Sequence, residues 1–219
     1  EDGTEADEQL SDSTYISPEV ELQELLVKSG VHLGAKIKVK HMERFIYRLR
    51  ADGVYLFDVK KILERLNIAA KMIAMNDLNK VVVVSTHVYG IKAVQKFCEI
   101  TGAIPIAGKI PAGIFTNRTL KYYLEPALVV VSDPRYDMQA VIEASIARKP
   151  VIAMCSTDNT CSNIDLIIPM NNRGRTSLPF AFWYLARRVL IEKGLATPEL
   201  LEKITIEQFT TQAVSEEEE

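Results

Sequence analysis

Short, wholly apolar runs of strand length recur along the chain and alternate with amphipathic segments of helix length. The run at 81–84 consists entirely of valine, and the run at 127–131 is almost as rich in β-branched residues. Such runs are typical of parallel strands buried on both faces, since strands with one exposed face alternate apolar and polar residues. A repeated strand–helix order of this kind predicts a mainly parallel central sheet with helices on both faces.

The ends of these elements carry start and stop signals. Ser17 and Pro18 predict the start of a first helix that Gly30 ends, and Asp58 can cap a helix over 59–76. Further strands are predicted in GVYLFDV, AIPIAG, PVIAMC and DLIIPM, and further helices over 87–101, 137–148, 176–193 and from residue 198. We expect one α/β domain over 18–206, with a mobile acidic tail at 1–17 and an acidic tail at 207–219.

Charge is distributed very unevenly along the chain, whose formal net charge is -3. Residues 1–24 hold nine acids and no Lys or Arg, and residues 216–219 are four glutamates. The segment between them keeps 16 acids and all 26 bases, which gives it a formal charge of +10. A basic body between acidic ends favours a polyanionic partner, although Lys-rich surfaces also occur on proteins that are merely soluble.

The composition also bounds the class of protein. No apolar run approaches the ~20 residues that a membrane-spanning helix needs. The acidic start is unlike the basic start of a signal peptide. Cys98, Cys155 and Cys161 form no closely spaced pair, which fits the cytosol better than a secreted disulfide scaffold. We therefore expect a soluble, intracellular protein.

The usual catalytic signatures of α/β enzymes are absent from the sequence. The chain contains no GxGxxG, no GxxxxGK[ST] and no GxSxG. His87 follows a strand, but no acid or nucleophile accompanies it at a recognisable spacing, so a local hydrogen bond at a helix start is the favoured interpretation. The cysteines and histidines lack the spacing of a zinc site. The absence of these motifs does not exclude an enzyme of another kind, but it favours a protein with no enzymatic activity, no cofactor and no metal.

Asp133 and Asp158 leave one alternative open. They lie in the loops SDPRYD and STDNT, each after an apolar strand. In phosphoryl-transfer enzymes such carboxylates hold magnesium. The favoured interpretation is that both close turns by side-chain to backbone hydrogen bonds. The alternative is a doubly wound nucleotide-binding or metabolic enzyme that uses these strand-end loops.

The segment 32–50 is the first of three basic segments and contains six Lys or Arg residues and one acid. If it is extended, its three lysines at alternate positions share one face, while Ile37 and Val39 pack on the body. Lysines on a solvated edge strand would give the same pattern. If the following residues are helical, Arg44 and Arg48 also share a face. Arginine grips phosphates bidentately and tyrosine stacks on unpaired bases, so this segment favours RNA.

Two further segments are similar in type. GKIPAGIFTNRTLKYY combines basic, amide and aromatic residues, and NNRGRTS precedes a predicted helix N-terminus, whose backbone amides favour a phosphate. Together the three predict recognition of folded RNA by shape and phosphate contacts. The candidate RNA-binding residues are His32, Lys36, Lys38, Lys40, His41, Arg44, Tyr47, Arg48, Arg50, Lys109, Asn117, Arg118, Lys121, Arg173 and Arg175.

Several long stretches also carry a family resemblance. They are GVHLGAKIKVKHMERFIYRLRADGVYLFDVKK, TGAIPIAGKIPAGIFTN, PALVVVSDPRYDMQAVIEASIARKPVIAMCSTDNTCSNIDLIIPMNNRGRTSL and FWYLARRVL. These stretches closely resemble the universal small-subunit ribosomal protein two family over roughly 18–194, and TDNTCSNIDLIIPMNNRGR is nearer to the archaeal pattern than to the bacterial one. Eukaryotic relatives, also described as laminin-receptor precursors, carry a C-terminal extension with tryptophan-containing repeats, whereas Trp183 of this chain lies in a predicted helix.

The resemblance implies a three-layer α/β/α domain of flavodoxin- or Rossmann-like topology, placed on the solvent side of the small ribosomal subunit near the junction of head and body. It implies a structural role in the cytoplasmic ribosome that supports subunit assembly and translation. The implied partners are small-subunit ribosomal RNA and neighbouring ribosomal proteins, with no membrane and no small-molecule substrate. The family supplies no residue roles, so the candidate RNA contacts above rest on charge and spacing.

Overall fold

The computed structural model describes residues 18–211. The acidic tail expected at 1–17, Ser17 included, and residues 212–219 lie outside this range. Within it, the chain forms α1 (Pro18–Lys28), β1 (Ile46–Leu49), β2 (Tyr55–Phe57), α2 (Val59–Met75), β3 (Val81–Ser85), α3 (Val88–Thr101), β4 (Ile104–Ala107), β5 (Leu128–Val131), α4 (Met138–Ile146), β6 (Val151–Cys155), β7 (Leu166–Pro169), α5 (Ser177–Glu192) and α6 (Pro198–Lys203). Three 3-10 helices cover Lys40–Phe45, Leu78–Lys80 and Ile206–Phe209.

Five strands form one parallel sheet in the order β4-β3-β5-β6-β7. Every residue of β3, β5, β6 and β7 is buried. Counted within this sheet alone, the order is 2-1-3-4-5, which is the order of flavodoxin-like doubly wound folds. The mainly parallel sheet and its topology are therefore confirmed.

Helices cover both faces of this sheet. The chain moves in one direction along the sheet from β3 to β4 and in the other from β5 to β6. Because parallel crossovers of this kind are right-handed as a rule, these opposite directions put α3 and α4 on opposite faces. The long helix α5 packs against α2 and α3 and so belongs to the α3 layer. The predicted three-layer α/β/α arrangement is confirmed.

The helix boundaries follow the signals in the sequence. Asp58 Oδ1 accepts a hydrogen bond from the Lys60 N–H at 3.0 Å and caps α2. Gly102 ends α3 with φ +83°, a conformation that glycine adopts without strain. Thr197 Oγ1 accepts from the Leu200 N–H at 3.3 Å and caps α6. These local hydrogen bonds fix the points where each helix begins or ends.

The core reaches beyond residue 206, where the predicted domain ends. Phe209 is fully buried, and the 3-10 helix Ile206–Phe209 packs against α3 and α5. Burial of this large aromatic ring removes apolar surface from water, and the resulting free energy stabilises the packing of residues 206–209. None of the helices within residues 18–211 is both long and apolar enough to cross a membrane.

The start of α3 approaches β3 closely because residue 90 is glycine. A Cβ built on Gly90 would clash with Ser85 Oγ at the end of β3. Ser85 is fully buried and its Oγ lies at hydrogen-bond distance, 2.8 Å, from Ser132 Oγ, so it has little room to move.

We therefore expect Gly90→Ala to lower the free energy of unfolding by about 1–3 kcal/mol through overpacking, measured by urea denaturation. Ser85→Ala in the same background removes the clashing oxygen and is expected to restore part of the loss. An unchanged midpoint for Gly90→Ala would contradict the close packing of α3 on β3.

Candidate nucleic-acid interface

The beginning of the basic segment is tied to the hairpin of β1 and β2. The Phe57 N–H donates to the His32 carbonyl at 2.9 Å, and the Gly34 N–H donates to the Tyr55 carbonyl at 2.8 Å. The Tyr55 N–H in turn donates a hydrogen bond to the Ala35 carbonyl at 3.2 Å. Residues 32–35 therefore run beside β2 as a fixed edge.

Thr157, in the loop after β6, holds the next part of the segment. The Ala35 N–H donates to Thr157 Oγ1 at 2.8 Å, and Thr157 Oγ1 donates to the Ile37 carbonyl at 2.9 Å. The Val39 N–H donates to the Thr157 carbonyl at 2.8 Å. Gly34 permits this approach, because a Cβ there would lie 2.6 Å from Thr157 Cγ2. Thr157 is buried and fixes the backbone from which the lysines project.

Lys36, Lys38 and Lys40 are all exposed, as the alternating pattern predicted. The prediction that Ile37 packs on the body is wrong, because its side chain is 70% exposed, whereas Val39 is half-buried. The reason is the backbone path: the segment bends to meet Thr157 instead of running as a regular strand.

The single acid of the segment is paired with one of these lysines. Lys38 Nζ lies 2.8 Å from Glu43 Oε1 and 5.5 Å from the ring centroid of Tyr55. Hydrogen bonding to Glu43 raises the pKa of Lys38, and hydrogen bonding to Lys38 lowers the pKa of Glu43. Among residues 18–211, Lys36 and Lys40 have no carboxylate within ion-pair distance, so they carry the uncompensated charge.

The helical arrangement considered for Arg44 and Arg48 is wrong. Arg44 lies in the 3-10 helix Lys40–Phe45, and Arg48 lies in β1. Phe45, the last residue of this helix, is buried, and the Arg44 guanidinium lies over its ring at 4.7 Å from the centroid. His41, Arg44, Tyr47, Arg48 and Arg50 are nevertheless exposed, and Arg50 Nε lies 3.1 Å from Asp52 Oδ2.

His32 differs from the other candidates because it is half-buried. Its Nδ1 is buried and has no hydrogen-bond partner within the described part of the chain. Burial, and then the nearby charge of Arg50, lower the pKa of His32. The ring is therefore neutral at neutral pH and does not add to the positive charge of the surface.

The third basic segment is bonded to residues 29 and 31, which directly precede the first basic segment. The Asn171 N–H donates to the Val31 carbonyl at 2.8 Å, and Thr176 Oγ1 donates to the Ser29 carbonyl at 2.9 Å. Arg175 is exposed in this loop. Residues 32–50 and 171–175 together form one surface, which we call the joined basic surface.

Arg173 is held inside this surface. Its Nη1 lies 3.0 Å from Asp158 Oδ2, and its Nε lies 3.4 Å from Asp133 Oδ2. The guanidinium therefore links the loops after β5, β6 and β7 at the carboxyl edge of the sheet. Much of its charge is compensated by these two carboxylates.

The two carboxylates that left an enzyme alternative open have internal partners. Asp133 is fully buried, and its Oδ1 accepts from the Arg135 N–H at 2.8 Å, so its predicted role in closing a turn is confirmed. Burial raises the pKa of Asp133, against the lowering effect of these contacts. For Asp158 the same prediction is wrong, because Asn159 Oδ1 accepts from the Ser156 N–H at 2.7 Å in its place.

Asp137 fills the crevice where doubly wound folds bind ligands, between the carboxyl ends of β3 and β5. Its buried carboxylate accepts from the Thr86 N–H at 2.8 Å and the Thr86 hydroxyl at 2.7 Å. It also accepts from the Ser132 hydroxyl at 3.0 Å and the Asp133 N–H at 3.2 Å. This network argues against an enzyme site at these strand ends.

The second basic segment is fastened to a different element. The Gly113 and Phe115 N–H groups donate to the two carboxylate oxygens of Glu143 on α4, at 2.7 and 3.0 Å. Phe115 is buried and belongs to the core. The four candidates of this segment, Lys109, Asn117, Arg118 and Lys121, are exposed.

The thiols are mostly internal. Cys98 and Cys155 are buried, and burial raises the pKa of Cys98 to about 12. Within residues 18–211, no group of three or more His, Cys, Asp or Glu side chains is placed to hold a metal ion.

Thr157→Val keeps the shape of the side chain but removes its hydrogen bonds to Ala35 and Ile37. We expect the free energy of unfolding to fall by about 1–2 kcal/mol, because two partly buried backbone groups lose their partner. Amide hydrogen exchange at Ala35 and Val39 should accelerate. Thr160→Val, at an exposed position of the same loop, serves as the control. Unchanged exchange at Ala35 would contradict the anchoring.

The lowered pKa of His32 predicts a pH effect on stability. An unfolded histidine titrates near pH 6.5, above the folded value, so the unfolded chain binds more protons as the pH falls. This group therefore destabilises the fold as the pH drops from about 7.5 to about 5.5. Denaturation at both pH values should show a smaller loss for His32→Gln than for the wild type, and parallel losses would refute the effect.

Known proteins that are similar to this chain include proteins of the small ribosomal subunit. The family model described as ribosomal protein S2 matches residues 26–125 and 120–190. Three archaeal proteins named small ribosomal subunit protein uS2 align over most of their length. The protein of Thermofilum pendens is 51% identical over 80% of this chain and 82% of its own. The protein of Staphylothermus marinus is 45% identical over 88% and 89%, and that of Thermoplasma acidophilum is 41% identical over 92% and 99%. The chain belongs to the ribosomal protein S2 family and is of the archaeal type.

Proposed function

We propose that this protein is a structural component of the small subunit of the cytoplasmic ribosome, where it binds small-subunit ribosomal RNA through the joined basic surface. It supports subunit assembly and translation and also contacts neighbouring ribosomal proteins. A structural ribosomal role follows from the family. The single observation that supports the RNA-binding surface is the anchoring of the lysine segment by Thr157, which leaves Lys36 and Lys40 exposed and unpaired within residues 18–211.

The anchoring favours binding because the cations are ordered before RNA arrives. A flexible basic loop would lose conformational entropy on binding, whereas a segment held by backbone hydrogen bonds has already lost most of it. Phosphate contacts of this kind give affinity and position without reading bases. A rigid array of cations therefore selects an RNA surface by its shape.

The candidates contribute unequally to this surface. Lys36, Lys40, Arg44, Arg48 and Arg175 are exposed and supply most of the attraction for phosphate. Lys38 and Arg50 are partly neutralised by Glu43 and Asp52. Arg173 positions the loop through its two carboxylates, and His32 is a neutral edge residue.

The second basic segment supplies a separate RNA contact. Glu143 holds its backbone, so Lys109, Arg118 and Lys121 project from a fixed loop. Asn117 Oδ1 accepts from the Thr119 N–H at 3.1 Å, which leaves its amide NH₂ to donate to a phosphate or a ribose. A catalytic role is disfavoured, because the carboxylates at the strand ends are hydrogen-bonded within the fold.

We expect the triple variant Lys36→Glu, Lys38→Glu and Lys40→Glu to bind small-subunit RNA at least about tenfold more weakly while remaining folded. Filter binding across about 50 to 200 mM salt measures the effect. For six to ten phosphate contacts the wild type should lose ~10³–10⁵-fold in affinity over this range. The variant's slope of log affinity against log salt should be smaller by about three.

The control variant makes the same charge change at the exposed lysines 71, 80 and 203, which lie outside the joined basic surface. It should bind within about twofold of the wild type, since distant exposed charges are screened. A flat salt response of the wild type, or equal losses in both triple variants, would refute binding through this surface.

A further inference from the structure

The exposed face of α4 carries no charge. Met138, Ile142 and Ile146 follow one another at four-residue spacing and are 54%, 43% and 67% exposed. The other exposed residues of the helix are Gln139 and Ser145. The single acid of α4, Glu143, is buried and accepts hydrogen bonds from the 113–115 loop. An apolar stripe therefore runs the length of the helix on its outer side.

The exposed face of α2, in contrast to that of α4, has the pattern of a solvated helix. The exposed side of α2 places Ile68 and Met75 among Lys60, Glu64 and Lys71. Interleaved charges of this kind are the ordinary pattern on a surface helix, whereas a contiguous apolar stripe marks an interaction site.

An arginine with an unusual backbone conformation lies at the end of this apolar stripe. Arg148, directly after α4, has φ +55°, in a region that glycine or asparagine normally occupies. Its side chain is exposed and, within residues 18–211, has no carboxylate at ion-pair distance. Beside it lies a recess of about 510 Å³ lined by Ser145, Arg148, Asn163 and Asp165. Asn163 has φ +60°, so two residues with left-handed backbone border the same recess.

The chemistry of this face suits a protein better than RNA. A phosphate backbone needs several cations, and the stripe of Met138, Ile142 and Ile146 supplies none. Near Arg148, the charge of Lys149 is partly met by Glu125 at 3.8 Å, and Asp165 adds a negative charge. Apolar side chains gain most when another apolar surface covers them, and a single free arginine at the rim suits one carboxylate.

We propose that the exposed face of α4 docks a neighbouring protein of the small subunit. An apolar segment of that protein covers Met138, Ile142 and Ile146, and a carboxylate next to this segment pairs with Arg148 at the recess. The inference rests on the proposed ribosomal function and adds to it the surface and the chemistry of a protein partner.

The test uses the full chain and small subunits that lack it. Ile142→Lys and Ile146→Lys are expected to reduce incorporation, measured by sedimentation across protein concentrations, by at least about tenfold. The matched control is Ile68→Lys on α2, a residue 40% exposed, which should stay within about twofold. Thermal unfolding verifies that each variant is folded. Lysine separates the two kinds of partner, because stronger incorporation would indicate RNA on this face. Unchanged incorporation would show that no partner docks there, and either result would overturn the proposal.

Arg148 gives a second, independent variant. Arg148→Gly relieves the backbone conformation and should raise the unfolding midpoint by about 2–4 °C while weakening incorporation. Loss of incorporation in a more stable protein has no structural explanation other than a lost contact. Incorporation at the wild-type level would overturn the pairing of Arg148 with a carboxylate.

A photo-cross-linking amino acid at position 142 identifies the occupant directly. An adduct with another small-subunit protein supports the proposal, whereas an adduct with RNA or with a second copy of this chain overturns it. Failure of the wild type to incorporate would refute the ribosomal function itself. Normal incorporation of the lysine variants, together with a strong effect of the Lys36, Lys38 and Lys40 variant on RNA binding, would refute only the docking surface.

Discussion

Burial of the parallel strands on both faces determines where every other part of this protein lies. Because every residue of β3, β5 and β6 is buried, the sheet needs a helical layer on each side, and the loops after the strands gather at one edge. Polar groups at that edge lie next to the core and need partners. The network of Asp137 with Thr86, Ser132 and the Asp133 amide supplies them. The same edge then supports the basic segment through Thr157.

The sequence was sufficient for the parallel sheet and its helices, but not for the 3-10 helix and β1 at 40–49 or for the contacts that hold the site. Apolar runs identified the strands of the parallel sheet, and Asp58 and Gly102 marked helix ends, because these signals are local. Thr157 was missed because its partner Ala35 is 122 residues away, and Asp137 was missed because Thr86 is 51 residues away. Hydrophobic periodicity along the sequence carries no information about contacts between residues so far apart. The bend at Ile37 was missed for the same reason, since Thr157 causes it.

The count of Lys and Arg residues in the sequence overstated the free positive charge of the basic segments, because some of these cations are paired with carboxylates. Lys38 and Arg50 have acidic neighbours, and Arg173 is shared between Asp133 and Asp158. The remaining cations sit on backbone that is fixed by hydrogen bonds, so their spacing is a property of the fold. The protein thus has two kinds of surface, a basic one suited to phosphate and, on α4, an uncharged one suited to another protein.

Asp137 also separates this domain from the metabolic chemistry of its scaffold. A nucleotide entering between β3 and β5 would have to displace a carboxylate that already accepts four hydrogen bonds. Binding of a nucleotide there would therefore break buried hydrogen bonds that join the loop after β3 to the loop after β5.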